Sequence, residues 1–275
     1  MNKPYKTINT MKKILILMIA AMIGISASAQ YKAPQIIAHR GFHASKGAAR
    51  NSLNALKAAQ KAKIWGSECD LQLTKDGEVL VIHGPNHPGK KGDVPQINVN
   101  RSTKEQVQAI LLTSGEKVPT LDEYLQQMTK SKATKLIIEV KNQPTPQLET
   151  ELVEKTVAAV EKYGLQSEVE YIAFRPWVCT ELVRLAPKGT PIAYLNGDYD
   201  PEYVKGMGCA GIDYNYKKLQ KKPSIIKKAH KLGLFVNIWT VNKEEDIRWC
   251  IEQGADFITT DDPMLVKKVI KEMCK

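Results

Sequence analysis

The sequence has few cysteines, no long hydrophobic run and no internal repeat, and each absence narrows the class of protein. Five cysteines in 275 residues, with no C-x-x-C pair, argue against a structural zinc site. One or two disulfide bonds are permitted in an oxidising compartment, but no pairing can be assigned. Hydrophobic residues make up 43% and charged residues 25% of the chain, as in an ordinary globular protein. Disorder, collagen and a coiled-coil rod are therefore excluded as the main state.

The first 29 residues have the features of an export signal. Four lysines precede the apolar stretch Ile14–Ile25, and the small-x-small cleavage pattern Ala-Ser-Ala follows at 27–29. The apolar stretch is too short to span a bilayer core of about 30 Å, and no cysteine follows the cleavage pattern, as a lipoprotein would require. The sequence predicts a signal peptide over 1–29, a periplasmic or extracellular protein, and no stable membrane anchor after cleavage.

Basic residues outnumber acidic ones, 40 against 29. Loss of the signal removes four lysines and no acids, so the formal charge falls from +11 to +7. The excess is spread over predicted helical surfaces such as 217–228, and no nucleic-acid-binding motif accompanies it. We therefore expect no nucleic-acid partner, while a positive surface can steer anionic substrates. No pattern in the chain predicts the oligomeric state.

Short apolar, β-branched segments alternate with segments of helical periodicity along most of the mature chain. This alternation predicts an α/β fold with a parallel sheet, either open and doubly wound or closed into a (β/α)8 barrel. The nine predicted strands are Ile36–His39, Gly66–Leu73, Val79–His83, Lys135–Lys141, Val169–Phe174, Pro191–Leu195, Gly211–Tyr214, Leu234–Trp239 and Phe257–Thr260. The predicted helices are Leu53–Lys63, Thr120–Met128, Leu148–Tyr163, Trp177–Leu185, Ile225–Leu232 and Glu244–Glu252.

The second and third predicted strands are joined by too few residues for the crossover helix that a parallel pair needs. Asp76-Gly77 between them is a strong tight-turn signal, so the sequence predicts a β-hairpin. If these two residues form the turn, Asp70 lies opposite His83, and a slip by two residues places Glu68 there instead.

The segment after this hairpin, 84–118, is richer in proline, glycine and lysine than its neighbours. We predict that it is an insertion over the barrel mouth and not an independent domain. The mature chain, 30–275, is then a single catalytic domain.

Acidic residues stand in two predicted strands where apolar residues are expected. Glu68 and Asp70 are two positions apart, so their side chains share one face of the strand. Glu139 follows an apolar run, and by itself it could simply pair with Lys141. Buried acids that lie together cost several kcal/mol unless a cation neutralises them. Carboxylates without a Cys/His cluster suit a hard cation, Mg²⁺ or Ca²⁺.

Two histidines, His39 and His83, end predicted strands and are free to exchange protons near neutral pH. Together with a metal ion, the Arg40 guanidinium and the Lys141 ammonium, they form a site for an anionic phosphate. One histidine would deprotonate the nucleophile and the other would protonate the leaving alkoxide. Because an alkoxide is a poor leaving group, this arrangement favours a phosphodiester substrate.

An ordered set of motifs resembles the glycerophosphodiester phosphodiesterase family over nearly the whole mature chain. The motifs are His39-Arg40-Gly41, Asn51-Ser52, Glu68-x-Asp70, Thr74-Lys75-Asp76-Gly77, Val79–His83, Pro119–Glu123, Glu139-x-Lys141, Trp239–Asn242 and Ile258–Pro263. The resemblance implies a distorted TIM barrel with a small insertion after the third strand and one divalent cation. It also implies hydrolysis of glycerophosphodiesters to sn-glycerol 3-phosphate and an alcohol.

The resemblance also implies roles for individual residues. The acid–base pair would be His39 and His83, the metal ligands Glu68, Asp70 and Glu139, and the substrate contacts Arg40, Lys141 and Trp239. Trp239 would line the pocket, although a packed residue at the barrel top is an equally good interpretation.

Two residues depart from the family's usual pattern. Arg50 stands where a Pro-Glu-Asn-Thr run usually has glutamate, and Gly84 stands where aspartate usually follows the histidine. Neither missing acid is an implied metal ligand, so we expect activity to survive. Arg50 either adds a phosphate contact or faces solvent.

Two other functions are compatible with the same barrel. One is a phospholipase D-like or cyclising phosphodiesterase acting on a lipid headgroup, which the polar, lysine-rich insertion disfavours. The other is a catalytically silent, exported phosphate-binding protein. Retention of both histidines and all three carboxylates argues against the second.

Overall fold

The computed structural model describes residues 31–87 and 97–274, so the predicted signal peptide lies outside the described residues. The strands are Gln35–Ala38 (β1), Gly66–Leu73 (β2), Val79–Val81 (β3), Asn86–His87 (β4), Ile97–Asn98 (β5), Lys135–Val140 (β6), Val169–Ala173 (β7), Ile192–Tyr194 (β8), Gly211–Asn215 (β9), Phe235–Trp239 (β10) and Phe257–Thr260 (β11). The α-helices are Leu53–Lys61 (α1), Lys104–Gln108 (α2), Leu121–Met128 (α3), Pro146–Lys162 (α4), Pro176–Leu185 (α5), Pro201–Gly206 (α6), Tyr216–Lys221 (α7), Ser224–Lys231 (α8), Glu244–Glu252 (α9) and Pro263–Met273 (α10).

Eight parallel strands of the described chain form a closed ring. Their order is β1-β11-β10-β9-β8-β7-β6-β2, and β1 pairs with both β11 and β2 to close it. The predicted TIM barrel is confirmed, and the open, doubly wound alternative is wrong. β3 lies outside the ring, antiparallel to β2, which is the distortion that the hairpin signal predicted.

The register of this hairpin differs from the prediction. Leu71 pairs with Val81, so Ile82 and not His83 lies opposite Asp70, and the amide of Ile82 donates to the Asp70 carbonyl over 2.8 Å. The predicted cross-strand pairing of His83 with either acid is therefore wrong. His83 follows the end of β3 and reaches the barrel mouth through a loop.

The cause of the shift is a turn of three residues where two were predicted. The amide of Gly77 donates to the Thr74 carbonyl over 3.0 Å, and Gly77 has φ +77°. A type I turn followed by a left-handed residue is the usual three-residue hairpin connection. The extra turn residue moves every pair in the hairpin by one position.

β2 changes its partner along one edge. Gly66 and Ser67 pair with β1, whereas residues 71–73 pair with β3. Glu68 and Asp70 lie in the interval between these two pairings, at the carboxyl end of the barrel. Active sites of TIM barrels occur at this end.

An apolar cluster fills part of the barrel interior. Ile37, Ile137, Ile172, Ala193 and Leu195 form this buried cluster. A larger cluster lies between the ring and the surrounding helices. Among the described helices, none has the length and hydrophobicity to cross a lipid bilayer.

The described part of the predicted insertion packs against β3. It contains the two-stranded β4–β5 pair, a 3₁₀ turn at Val99–Arg101 and α2. Its buried Val99, Val107 and Val118 form a small separate cluster with Leu80 and Ile82, which precede the insertion.

Candidate active site

Three acidic side chains converge at the barrel mouth. Asp70 of β2 is in register with Glu139 of β6, and Glu68 lies one inward position earlier on β2. All three are buried, and one carboxylate oxygen of each lies within 4.8 Å of the others. These three acids are the metal ligands that the resemblance to the family implies.

Two cationic side chains approach the acids. The Lys141 Nζ lies 2.6 Å from Glu139 Oε1 and 3.4 Å from Asp70 Oδ1. The Arg40 Nε lies 3.2 Å from Asp70 Oδ2, and the Arg40 amide donates to Glu68 over 2.7 Å. Two cations thus face three carboxyl groups, and Glu68 Oε1 has no hydrogen-bond partner among the described residues.

The pKa values of the three acids are shifted in different directions. Burial, followed by the charges of Asp70 and Glu139, raises the pKa of Glu68 well above its usual range. Burial and Asp70 raise the pKa of Glu139 to about 7. Burial also opposes ionisation of Asp70, but Lys141 and Arg40 outweigh it and lower its pKa. A further cation would allow all three to ionise, so the cluster could hold a metal ion.

A tight turn after β1 brings Arg40 to the acids. Arg40 and Gly41 have φ of +56° and +77°. A Cβ on Gly41 would lie 2.6 Å from the Cβ of Ala55 in α1. Only glycine fits between the turn and this helix, which explains the glycine of the His-Arg-Gly motif.

Asn51 holds Asp70 from the other side. Its Nδ2 donates to Asp70 Oδ2 over 2.8 Å, and its Oδ1 accepts from the Asp70 amide over 3.2 Å. The next residue, Ser52, caps α1 by accepting from the Ala55 amide. The Asn-Ser motif therefore fixes one acid and begins one helix.

His39 is oriented by Asp261 at the end of β11. Their Nδ1 and Oδ1 atoms lie 2.8 Å apart, and His43 Nε2 lies 2.9 Å from the same oxygen. Asn242 donates to the other Asp261 oxygen over 2.9 Å. Burial opposes ionisation of Asp261, but the hydrogen bonds from both histidines hold its pKa far below the usual range. Burial lowers the pKa of His39.

Sequence reasoning assigned no role to Asp261, His43 or Asn242. The sequence does contain a signal for two of them, because Asn242 and Asp261 stand in family motifs at the ends of two strands. The spatial proximity of these motifs arises only when the ring closes β11 against β1.

His83 lies exposed at the rim of the same site, positioned through its backbone. Gln72 of β2 donates to the carbonyls of His83 and Gly84 over 3.3 and 2.8 Å. A Cβ on Gly84 would lie 2.4 Å from the Asn86 carbonyl oxygen, so this loop path excludes the aspartate usual in the family. Desolvation, together with the charges of Lys141 and Arg40, lowers the pKa of His83 to about 4, although the charge of Asp70 opposes this shift.

The site opens into two adjoining cavities. An enclosed pocket of about 70 Å³ is lined by both catalytic candidates, His39 and His83, and by Arg40, Glu68, Glu139, Lys141, Ile172, Phe174, Leu195, Asp213, Trp239, Thr240 and Thr259. A more open cleft of about 320 Å³ shares Arg40 and His83 with it.

Trp239 lies at the end of β10, beside the pocket. Its ring lines the enclosed pocket and packs edge-on against Phe174, with ring centres 5.7 Å apart. Its Nε1 donates to the Asp213 carbonyl over 2.8 Å. Arg50, for which the sequence predicts either a phosphate contact or a solvent-facing position, lines the larger cleft. Its Nη2 lies 3.7 Å from Asp261 Oδ2.

Comparison with known proteins agrees with this geometry. The family model described as the glycerophosphoryl diester phosphodiesterase family matches residues 39–265. A solved glycerophosphodiester phosphodiesterase structure from Parabacteroides distasonis is 34% identical with a TM-score of 0.83, covering 89% of this chain and all of that one. Glycerophosphodiester phosphodiesterases of Caldanaerobacter subterraneus and Bacillus altitudinis are each 27% identical, over 86% and 87% of this chain and 98% and 99% of theirs.

The fold and these matches define a phosphoric diester hydrolase built on a TIM barrel. The chain belongs to the glycerophosphoryl diester phosphodiesterase family. The resemblance stated from its motifs is confirmed.

Proposed function

We propose that this protein uses one divalent cation to hydrolyse glycerophosphodiesters to sn-glycerol 3-phosphate and an alcohol, with His39 and His83 as general acid and base. The observation that carries this proposal is the convergence of three buried carboxylates, two imidazoles and two cationic side chains at one pocket. The names of its relatives support the substrate class.

The donor set fits a hard cation. The three acids Glu68, Asp70 and Glu139 offer only oxygen ligands. Among the described residues, Glu68 Oε1 has no hydrogen-bond partner that would compete with a metal ion. Mg²⁺ and Ca²⁺ both take such ligands. When bound, the cation would neutralise charge on the phosphate and polarise its phosphorus–oxygen bonds.

The chain's own cations bind and orient the phosphate. Arg40 and Lys141 border the enclosed pocket, and their ion pairs with Asp70 and Glu139 fix where their charges lie. Charges positioned in advance stabilise negative charge on the non-bridging oxygens without reorganisation.

The histidines divide the two proton transfers. Asp261 holds Nδ1 of His39, so Nε2 is the atom that exchanges a proton with the substrate. His83 is neutral above about pH 4 and is ready to accept a proton at neutral pH. One histidine takes the proton of the attacking water, and the other, whose protonated form the negative charge of the bound phosphate favours, donates that proton to the leaving alkoxide.

The two cavities give the diester an orientation. The enclosed pocket, with Phe174 and Trp239 on one wall, suits the small glycerol moiety, and the open cleft accepts alcohols of varied size. The phosphate lies at their junction, where Arg40 and His83 border both cavities.

The decisive experiment is product analysis on a panel of diesters. Glycerophosphocholine and glycerophosphoethanolamine should give sn-glycerol 3-phosphate and the free alcohol with Mg²⁺ or Ca²⁺, and EDTA should abolish turnover. A cyclic phosphate product would indicate the cyclising alternative. Phosphate binding without turnover would indicate the silent binding protein.

Histidine variants test the acid–base assignment. His39→Ala and His83→Ala should each lower kcat by about 100-fold or more. His230→Ala is the matched control, because His230 pairs with Asp256 away from the pocket. Full activity in the double variant would remove the assignment.

We also propose that the protein acts outside the cytoplasm, on the strength of the signal features in residues 1–29. Sequencing the N-terminus of protein recovered from periplasm or medium should give Gln30 first. A cytoplasmic protein that begins at Met1 would contradict this proposal.

A further inference from the structure

Asp213 is a buried acid that the proposed chemistry does not use. It lies on β9, its side chain is 1% exposed, and it lines the enclosed pocket. Its Oδ1 atom has no hydrogen-bond partner among the described residues. Such buried, unpartnered polar atoms are rare in folded proteins, and each requires an explanation.

The neighbouring polar residues are already satisfied by one another. Asn237, in register with Asp213 on the next strand, donates to the Thr259 hydroxyl over 2.9 Å, and that hydroxyl donates back over 3.2 Å. Asn237 also hydrogen-bonds the Asp213 carboxyl group. The buried Oδ1 of Asp213 is therefore the polar atom of this group that is left without a partner.

Burial and nearby acidic charges favour the neutral form of the Asp213 carboxyl group. Among the described residues, no basic side chain forms an ion pair with Asp213, and burial, followed by the charges of Glu139 and Glu170, raises the pKa of its carboxyl group well above the usual range. A protonated carboxyl offers one donor and one acceptor, as an alcohol hydroxyl does. The other side chains on this side of the pocket include the apolar Ile172 and Leu195.

Asp213 is separate from the metal and acid–base groups. The acidic cluster comprises Glu68, Asp70 and Glu139, on β2 and β6, whereas Asp213 stands on the far side of the ring. Its place in the pocket that we assign to glycerol points to substrate selection.

We propose that the Asp213 carboxyl group hydrogen-bonds a hydroxyl of the glycerol moiety and thereby makes the enzyme selective for polyol phosphodiesters. This inference rests on the proposed function. A site built to bond a hydroxyl discriminates strongly against an analogue that lacks it, because the buried group is then left unpaired.

The test compares glycerophosphocholine with two analogues in which propane-1,2-diol or propane-1,3-diol replaces glycerol. Wild-type enzyme should prefer the glycerol diester over at least one analogue by about 100-fold or more in kcat/KM. In Asp213→Ala this preference should fall at least about 10-fold, through loss of activity on the glycerol diester alone. Asp213→Asn, which keeps the shape and a donor, should retain part of the preference.

Leu195→Ala is the matched control, because Leu195 lines the same pocket without a polar group. It should change kcat/KM for all three diesters by a similar factor. Wild-type enzyme that cleaves both analogues as well as glycerophosphocholine would overturn the inference, even if Asp213→Ala failed to fold. An unchanged preference in folded Asp213→Ala would also overturn it. Wild-type protein inert towards every diester would instead refute the proposed function, and this inference with it.

Discussion

Asp261 and His39 are joined by a hydrogen bond of 2.8 Å between Oδ1 and Nδ1. An ionised carboxylate can only accept, so Nδ1 carries the proton and Nε2 of the neutral ring is free. Carboxylates that fix a histidine tautomer in this way contribute strongly to catalysis in other hydrolases. In the proposed mechanism Asp261 is therefore a positioning residue, which acts through His39 and not on the substrate.

Asp261→Asn should lower kcat by about 100-fold or more with little change in KM, because an amide can favour the wrong His39 tautomer. The pH profile of kcat should shift as well. Asp262→Asn is the matched control, since asparagine can still cap α10 in its place. An unchanged kcat and pH profile in Asp261→Asn would show that His39 needs no orientation.

Glu68→Gln should weaken Mg²⁺ or Ca²⁺ binding by at least about 10-fold, because the amide offers one neutral oxygen in place of a carboxylate. Titration calorimetry on EDTA-treated protein measures this change. Glu170→Gln, an acid on β7 at the opposite end of the barrel, should bind the cation normally. Equal affinities for wild type and Glu68→Gln would remove Glu68 from the ligand set, and gross unfolding of Glu68→Gln would indicate a structural role.

The ring of His83 should titrate at about pH 4 in the folded, metal-free protein, below the ordinary 6.5. Between these values the unfolded chain binds more protons at His83 than the folded chain does. The contribution of His83 to the free energy of unfolding therefore rises with pH across this window and is complete above it.

The measurement is an NMR titration of the histidine ring protons, assigned by comparison with His83→Gln. The free energy of unfolding of this variant should depend less steeply on pH between about 4 and 6.5 than that of wild type. A ring that titrates near 6.5 would contradict the desolvation on which the low pKa depends.

Gly84→Ala should destabilise the fold by about 1–3 kcal/mol, because the new methyl group overlaps the Asn86 backbone. It should also lower kcat, since Gln72 holds His83 and Gly84 together. Gly206→Ala, which meets nothing within 4 Å, should be stable and active. Urea unfolding and kcat assays measure both effects, and a neutral Gly84→Ala would show that the loop adjusts freely.

Much of the barrel is predictable because its strands are β-branched runs bounded by turn residues. Gly66–Leu73 and Phe257–Thr260 agree with the structure to the residue, and the other ring strands differ only at their ends. The short helices α2, α6 and α7, and also α10, were not predicted. Helices of five or six residues, such as the first three, contain too few turns to show periodicity.

The site was predictable where a residue violates its local pattern. Glu68 and Glu139 interrupt apolar strands, so each is visible in the sequence, and the ring brings them together. Asp261 and Asp213 are different, because the roles proposed for them depend on side-chain contacts and burial that appear only in the folded structure. The hairpin register was missed because a three-residue turn and a two-residue turn share the same Asp-Gly signal.

The interval in the edge of β2 is filled by side chains and turns instead of a strand. The Gly41 amide donates to the Glu68 carbonyl, and Asn51 accepts from the Asp70 amide. On this edge, the backbone at Glu68 and Asp70 is therefore held by the segment 39–52, whereas β6 holds the other edge. Replacement of this segment during evolution would change the surroundings of Glu68 and Asp70 and leave the hydrogen bonds between the ring strands intact. Diesterases with altered active sites can therefore arise on the same barrel.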